Sequence, residues 1–375
     1  MKILADENIP YVREVFSGLG EVTTVPGRDI TAAAVHDATM LLVRSVTKVN
    51  EALLAGSSVR FVATATIGED HVDRAWLASR GIAFASAPGS NANSVGEYIV
   101  VALLELAGRF GLNLAGLKLG IVGVGNVGKC VLTKARALGM ECVLNDPPLE
   151  RATGDPKYRP MDEIVDCNIV TLHVPLAREG LDATYHLVDE SFLTRLNRGA
   201  ILINSARGPV VDGEALKKAL DGGQVRACVL DVWEREPDID VSLLERVAIG
   251  TPHIAGYSFD GKVNGTRQIY EAACAFCGSQ ISDLKFEISN LKSQIVDGTA
   301  DDALRTTVRA AYNIMGDDAV MRRLVTMHDV ERPKEFDRLR KEYPRRREFF
   351  NTQVRVVPPN AALEEQLAGI GFRIE

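Results

Sequence analysis

One stretch, Gly120-Ile121-Val122-Gly123-Val124-Gly125-Asn126-Val127-Gly128-Lys129, constrains this chain of 375 residues more than any other. It carries G-x-G-x-x-G between an apolar run that reads as a strand, Leu119–Val122, and a run that reads as a helix, Asn126–Leu138. The next strand, Glu141–Asn145, ends at an acid, Asp146. A lone G-x-G-x-x-G says little. Between strand and helix, with an acid about 20 residues on, it specifies a Rossmann βαβ unit that holds a dinucleotide. Gly123 permits the tight turn, Gly125 lets the backbone approach a pyrophosphate, and Gly128 lets the helix lie close to the sheet. The free N–H groups and positive dipole end of the helix face the phosphates. Asp146 is placed to accept hydrogen bonds from the adenosine ribose. Its charge would repel a 2′-phosphate, so the expected cofactor is NAD rather than NADP. The competing reading makes the glycines an ordinary tight turn and Asp146 a strand-end cap.

The rest of the chain extends this pattern. Residues 1 to about 92 alternate strand-like runs (Lys2–Ala5, Leu41–Ser45, Arg60–Thr66, Ile82–Ala85) with helical ones such as Asp73–Arg80, which predicts a parallel sheet with helices on both faces. Asn91–Phe110 reads as a long amphipathic helix. Further strands are expected at Ile169–Val174, Ala200–Asn204, Ala227–Val232 and Val247–Gly250, then a helix over Asp260–Gly278. From about Ser282 the alternation stops. A charged helix (Arg332–Tyr343), a strand (Gln353–Val357), a helix near Ala361–Leu367 and a strand (Phe372–Ile374) predict a small α+β domain. The net charge of −7 argues against a nucleic-acid surface, which needs a basic face. No apolar run is long enough for a membrane span, and the N-terminus is too acidic for a signal peptide, so the cytoplasm is the expected compartment. Cys274 and Cys277 have the i, i+3 spacing of one helix face and lack a second pair, so no metal is expected.

Three segments carry the chemistry: Ile203-Asn204-Ser205-Ala206-Arg207-Gly208, Leu230-Asp231-Val232-Trp233-Glu234-Arg235-Glu236-Pro237 and Gly250-Thr251-Pro252-His253-Ile254-Ala255-Gly256-Tyr257. Each begins at the carboxyl end of an expected parallel strand, where open α/β sheets bind ligands. With Leu114-Ala115-Gly116-Leu117-Lys118-Leu119-Gly120, they make residues 1–280 resemble the D-isomer-specific 2-hydroxyacid dehydrogenases. The resemblance implies an active site of Arg207, Glu236 and His253. Oxidising a 2-hydroxy acid removes a hydroxyl proton and a hydride from one carbon. His253 suits the proton transfer, Glu236 would hold its other ring nitrogen, and Arg207 would grip the substrate carboxylate with a bidentate fork.

The resemblance extends along the chain through Lys2–Pro10, Val43–Asn50, Thr64–Gly68, Asp70–Asp73 and Glu335–Lys341, toward a branch of the family that acts on a phosphorylated four-carbon acid. It implies an α/β architecture of three parts. A flavodoxin-like substrate domain spans 1–92 and is completed by about 257–281. A Rossmann NAD-binding domain spans 93–256, and an α+β domain over 282–375 pairs two subunits into a homodimer. It places Ser45, Thr66 and Tyr257 on the substrate. Asn126, Val127, Asp146, Ser205, Ala206, Arg207, Asp231 and Gly256 match NAD-contacting positions. Val174 stands where many members have Thr, keeping the backbone groups and losing the hydroxyl. Glu69 is a second departure. For the substrate phosphate, Arg44 and an arginine of the partner's tail, Arg346, are the expected cations, though the run Arg345-Arg346-Arg347 also reads as a solvated helix end. Two other functions stay open: a phosphoglycerate dehydrogenase-type enzyme and an NAD-sensing corepressor on the same fold.

Overall fold

The structure, a computed structural model, describes residues 1–281 and 291–375. The expected boundary at Ser282 lies outside the described residues. The chain forms two compact units, Met1–Asn91 with Ser258–Ser289, and Ala92–Tyr257 with Asn290–Glu375.

In the first unit β1 (Lys2–Asp6), β2 (Glu21–Val25), β3 (Met40–Val43), β4 (Phe61–Thr64) and β5 (Ala83–Ala85) form a parallel sheet in the order β2-β1-β3-β4-β5. This is the flavodoxin-like winding. The central strands β3 and β4 are buried along their whole length, which is why they read as unbroken apolar runs. Ile3, Met40 and Phe16 pack on one face with Ile269, Tyr270 and Ala273 of the helix Phe259–Cys277. That helix returns late in sequence to complete the unit, and Thr266 Oγ1 donates to the Pro10 carbonyl at 3.0 Å. Leu41, Val43, Val62 and Leu77 fill the other face. Sequence patterning does not mark β2, an edge strand with no fully buried residue.

In the second unit β6 (Lys118–Val122), β7 (Glu141–Asn145), β8 (Ile169–Leu172), β9 (Ala200–Asn204), β10 (Val225–Leu230) and β11 (Ile249–Gly250) form a parallel sheet in the order β11-β10-β9-β8-β6-β7. The chain leaves β6 for β7 on one side and returns to β8 on the other, which makes the end of β6 a topological switch point. A third parallel sheet, β12 (Lys292–Asp297), β13 (Thr352–Val357) and β14 (Arg373–Ile374), belongs to the tail. Its edge strand β12 is polar and equally unmarked in the sequence. Among the described residues no helix is long and apolar enough to cross a membrane.

The helix Ala92–Phe110 corrects an expectation. It is buried on nearly every face rather than amphipathic. Leu119 and Ile121 of β6 cover one side, and Val308, Tyr312 and Phe349 of the tail cover the other, all in one core. The tail therefore takes the face that periodicity assigned to solvent. Its docking also buries ionisable groups. Glu97 Oε1 accepts from the Phe349 N–H at 2.9 Å and from Asn93 Nδ2 at 3.0 Å. Asn93 Nδ2 also donates to Glu348 Oε2 at 2.6 Å, and Lys134 Nζ donates to the Ile370 carbonyl at 2.6 Å. Burial, and then the neighbouring Glu348, push the Glu97 carboxyl up to about 8 against the pull of Lys134.

A raised carboxyl binds its proton more tightly in the folded state, so its contribution is complete below the unfolded value and is lost as pH rises through the folded one. Thermal unfolding of the full chain is expected to show stability declining between about pH 4.5 and 8. Glu97→Gln, which keeps an acceptor for Phe349, is expected to flatten that decline and to match or exceed the parent Tm at pH 8.5. An unchanged slope would show that Glu97 is ionised in the fold.

Candidate active site

A single transverse row of the second unit's sheet positions the site. Asn145, Val122, Leu172, Asn204, Leu230 and Gly250 are register partners in turn across all six strands. The residues just beyond them are Asp146, Gly123, His173, Ser205, Asp231 and Thr251. Strand pairing gives out there, and the backbone turns into loops at one common rim.

At the β6 end Gly123 has φ +88°, and a Cβ there would stand 2.7 Å from the His173 carbonyl and 3.0 Å from Val174 Cγ1. A Cβ on Gly128 would stand 2.1 Å from the Gly123 carbonyl oxygen. Both are glycines because the turn is tight. Gly125 differs, since a Cβ there would meet nothing within 4 Å. Protein packing does not explain it, whereas a pyrophosphate laid against the backbone does. Gly125 also caps the helix Asn126–Ala137 without a side-chain bond, leaving the first N–H groups, Asn126 and Val127 among them, for an anion. Asp146 accepts from the Val124 N–H at 2.8 Å through Oδ2 and from the Leu149 N–H at 3.0 Å through Oδ1. It is thus a cap as well, and its carboxylate is held against the glycine turn with acceptor capacity left. The buried Ser205 Oγ and His173 Nδ1 on the same rim have no partner among the described residues. Burial lowers His173 to about 3, so its ring is neutral. These orphaned polar atoms, the open Gly125 and the oriented Asp146 fit NAD.

At the β9, β10 and β11 ends a rigid cluster forms around Asp231. Oδ1 of this buried carboxylate accepts from Thr251 Oγ1 at 2.6 Å and the Ile254 N–H at 2.7 Å, and Oδ2 accepts from the Ala255 N–H at 2.9 Å. Three of a carboxylate's roughly four acceptor positions are taken, and they fix the loop that bears His253. Tyr98 Oη lies 2.8 Å from Thr251 Oγ1, and Trp233 Nε1 donates to the Thr251 carbonyl at 2.9 Å. His253, at φ +57°, puts Nδ1 2.7 Å from Glu236 Oε2, while Glu236 Oε1 accepts from the Trp233 N–H at 2.8 Å. Burial would raise Glu236, but His253, Arg340 and the Trp233 N–H together hold it below the usual carboxylate range. An ionised carboxylate only accepts, so Nδ1 carries the hydrogen and Nε2 is the open base. Gly208 joins the Arg207 segment to this cluster. A Cβ on it would stand 1.9 Å from the Trp233 carbonyl oxygen.

The three catalytic expectations, Arg207, Glu236 and His253, thus sit on adjoining strand ends. Ala206 is buried and gives its N–H to Asn204 Oδ1 at 3.0 Å, which shapes the turn before Arg207. Gly256 and Tyr257 follow on the His253 loop. In the first unit Ser45 is exposed just past β3, and Thr66, just past β4, bonds Thr64 Oγ1 at 2.7 Å and the Gly68 carbonyl at 3.1 Å. Arg44 Nη1 is buried there without a partner among the described residues. Glu69 accepts from Arg74 at 2.8 Å and Ser86 at 2.6 Å. Arg346 is a correction. Its buried guanidinium turns inward to Ser94 Oγ and the Ala255 carbonyl of its own chain and lies 4.3 Å from the Tyr312 ring centre. It is buried rather than a solvated helix end, and its Nε and Nη1 have no partner among the described residues. Sequence reasoning assigns no role to Thr251, Trp233 or Gly208, whose bonds cross between strands, or to Arg340, one more arginine in a charged helix.

Residues 103–255 match the family described as "D-isomer specific 2-hydroxyacid dehydrogenase, NAD binding domain", and residues 286–371 match a family described only as a domain of unknown function. The erythronate-4-phosphate dehydrogenase of an Enterobacter species is 47% identical, over 99% of this chain and 98% of its own length. That of Klebsiella pneumoniae is 48% identical over 96% of each. Among solved structures, the TT0316 protein of Thermus thermophilus superposes with a TM-score of 0.64 at 26% identity, covering 75% of this chain and 98% of its own. A D-lactate dehydrogenase of Aquifex aeolicus, complexed with NAD and lactic acid, shares the fold with a TM-score of 0.60 at 24% identity, covering 74% and 96%.

The two kinds of glycine predict opposite outcomes. Gly125→Ala is expected to leave Tm within about 2 °C while raising the Kd for NAD about tenfold or more. Gly128→Ala is expected to lower Tm by more than about 5 °C, because the Gly123 carbonyl must move. Calorimetric titration and thermal unfolding measure both. A Gly125→Ala protein with unaltered NAD affinity would remove the pyrophosphate from this turn.

Proposed function

The chain belongs to the erythronate-4-phosphate dehydrogenase family, a branch of the D-isomer-specific 2-hydroxyacid dehydrogenases, and from that premise we propose how it works. It is an NAD-dependent dehydrogenase that oxidises 4-phospho-D-erythronate to (R)-3-hydroxy-2-oxo-4-phosphooxybutanoate, a step toward pyridoxal 5′-phosphate. The observation that carries the mechanism is the Glu236–His253 pair at 2.7 Å, on the sheet rim that also bears the glycine turn.

In this reading the glycine turn and Asp146 would hold NAD, which would supply the acceptor for the hydride leaving C2 of the substrate. His253 Nε2 takes the proton of the C2 hydroxyl as the carbonyl forms. Glu236 holds Nδ1, sets the tautomer and stabilises the imidazolium that results. Arg207 grips the substrate carboxylate and polarises the developing carbonyl, with its turn braced by Gly208 against Trp233. Asp231 acts through the loop it organises. Gly123, Gly125, Asn126, Val127, Gly128, Asp146, Val174, Ser205, Ala206 and Gly256 line the cofactor. Ser45, Thr66 and Tyr257 contact the substrate, and Arg44, with its unpartnered Nη1, supplies charge.

The tail has a second role in this reading, as a pairing surface. On the edge strand β12 Ile295 is 79% exposed, beside a strand edge that pairs with no other described strand and that a second copy of this chain would cover. Ile295→Asp is expected to convert a dimer into monomers in sedimentation-velocity runs, and a dimer that survives would move the interface elsewhere. Deleting residues 282–375 uncovers the helix Ala92–Phe110, so that product is expected to be insoluble or monomeric.

Catalysis is tested by NADH absorbance. 4-Phospho-D-erythronate is expected to be turned over in strong preference to 3-phosphoglycerate, and the reverse preference would overturn the substrate assignment. His253→Ala is expected to cut kcat by about 10²- to 10⁴-fold with NAD binding intact. Glu236→Gln is expected to cost less and to move the acid limb of the pH–rate profile to lower pH, because the ring loses its anionic partner. A His253→Ala enzyme retaining more than about a tenth of kcat would remove His253 from proton transfer.

A further inference from the structure

Arg340 lies in the tail helix Arg332–Lys341, whose Phe336 and Leu339 pack into the core that also holds Trp233. That seating brings Arg340 to the His253 loop. Nη2 donates to Tyr257 Oη at 3.3 Å, and the guanidinium carbon lies 5.8 Å from the Tyr257 ring centre. Tyr257 stands four positions after His253. Glu236 and Asp231 are near enough to act on Arg340 electrostatically. Burial opposes its charge, and Tyr257, Glu236 and Asp231 nonetheless raise its pKa above the ordinary guanidinium value.

The neighbouring tail arginines Arg338 and Arg332 are spent on partners of their own. Arg338 holds Glu335 at 2.6 Å and Glu342 at 2.7 Å. Arg332 holds Asp329 at 2.7 Å and two carbonyls. Arg346 gives only Nη2, to Ser94 and Ala255, but it is buried over the Tyr312 ring, and its Nε and Nη1 have no partner among the described residues. Arg340 has one long bond to the Tyr257 hydroxyl, and among the described residues it has no carboxylate within ion-pair distance and no partner for its buried Nε. A guanidinium carries five donors, and a half-buried cation using one of them is costly unless an anion completes it. Among the catalytic side chains, Glu236 is committed to His253 and the Trp233 N–H. An oxyanion on a ligand would complete the site.

We propose that Arg340 and Tyr257 form an oxyanion subsite of the active centre, supplied by the tail of the same chain, which binds the phosphate of the substrate. This rests on the reading that the substrate is 4-phospho-D-erythronate. The carboxylate of that molecule goes to Arg207, which leaves the phosphate as the dianion that a fork of unused N–H groups suits. The subsite gives the family's extra tail a function in substrate choice, and it replaces the role expected of Arg346.

The test uses full-length Arg340→Ala and Arg340→Lys, with kcat and KM for 4-phospho-D-erythronate and D-erythronate, and inhibition by inorganic phosphate. Arg340→Ala is expected to raise KM for the phosphorylated acid about 10- to 100-fold, as lost charge-assisted bonds imply, with kcat within about threefold. KM for D-erythronate stays within about twofold, and the inhibition constant for phosphate rises in parallel. Arg340→Lys keeps the charge without the fork and falls between, which also guards against a folding defect in the alanine protein. Equal losses on both substrates, or a kcat loss with a displaced pH–rate profile, would show that Arg340 acts only on Glu236 and would overturn the proposal. Wild-type kinetics in both variants would do the same. A parent protein inactive on 4-phospho-D-erythronate overturns the substrate reading and takes the proposal with it, whereas an active parent with unselective variants overturns the proposal alone.

Discussion

Everything the second unit does depends on six parallel strands ending in register. In a parallel ladder each strand pairs its backbone groups with its neighbours until the pairing stops, and the next residues must find other partners. Here it stops along one line, from Asn145 to Gly250, so that six loops depart from one rim. Asp146, Gly123, His173, Ser205, Asp231 and Thr251 are brought together by this alone, although they are scattered over more than a hundred positions of sequence. The switch point beside β6 opens the crevice in which a dinucleotide fits.

Register places the loops, and buried polar bonds then stiffen them. Asp231 accepts from Thr251 and from two backbone N–H groups on the His253 loop, so that loop cannot shift without stranding a buried carboxylate. Trp233 ties the Glu236 segment to Thr251 through its indole N–H, and Gly208 presses the Arg207 turn onto the Trp233 backbone. The catalytic side chains are held by neighbours that do not themselves react. Such a frame keeps a base and its orienting carboxylate at hydrogen-bond distance before substrate arrives.

The tail is built into the same core rather than appended to it. Its Phe349, Tyr312 and Val308 share a cluster with Tyr98 and Ile121, and its Phe336 packs with Trp233. Buried ionisable groups accompany this contact at Glu97, Glu348, Lys134 and Arg346, each removed from water and within electrostatic reach of Glu97. Such clusters stabilise little in themselves, but they are costly to break by halves, and so they fix how the tail is seated. That seating delivers Arg340 to the rim.

The sequence by itself determined the dinucleotide turn, the alternation of strands and helices, and the Arg207, Glu236 and His253 segments. These are local signals: a glycine forced by a positive φ, an apolar run long enough for a buried strand, and a short motif at a strand end. The edge strands β2 and β12 escape such signals because an exposed strand needs no apolar run. The helix Ala92–Phe110 looks two-faced in sequence because periodicity cannot register a cover that arrives from residues 291–375. The fates of Arg340 and Arg346 were decided only in three dimensions. Both are arginines in a charged tail, and nothing in their local sequence says which one meets Ser94 and Ala255 and which one meets Tyr257. A long flexible cation takes its role from whichever partners the packing of distant segments leaves within reach.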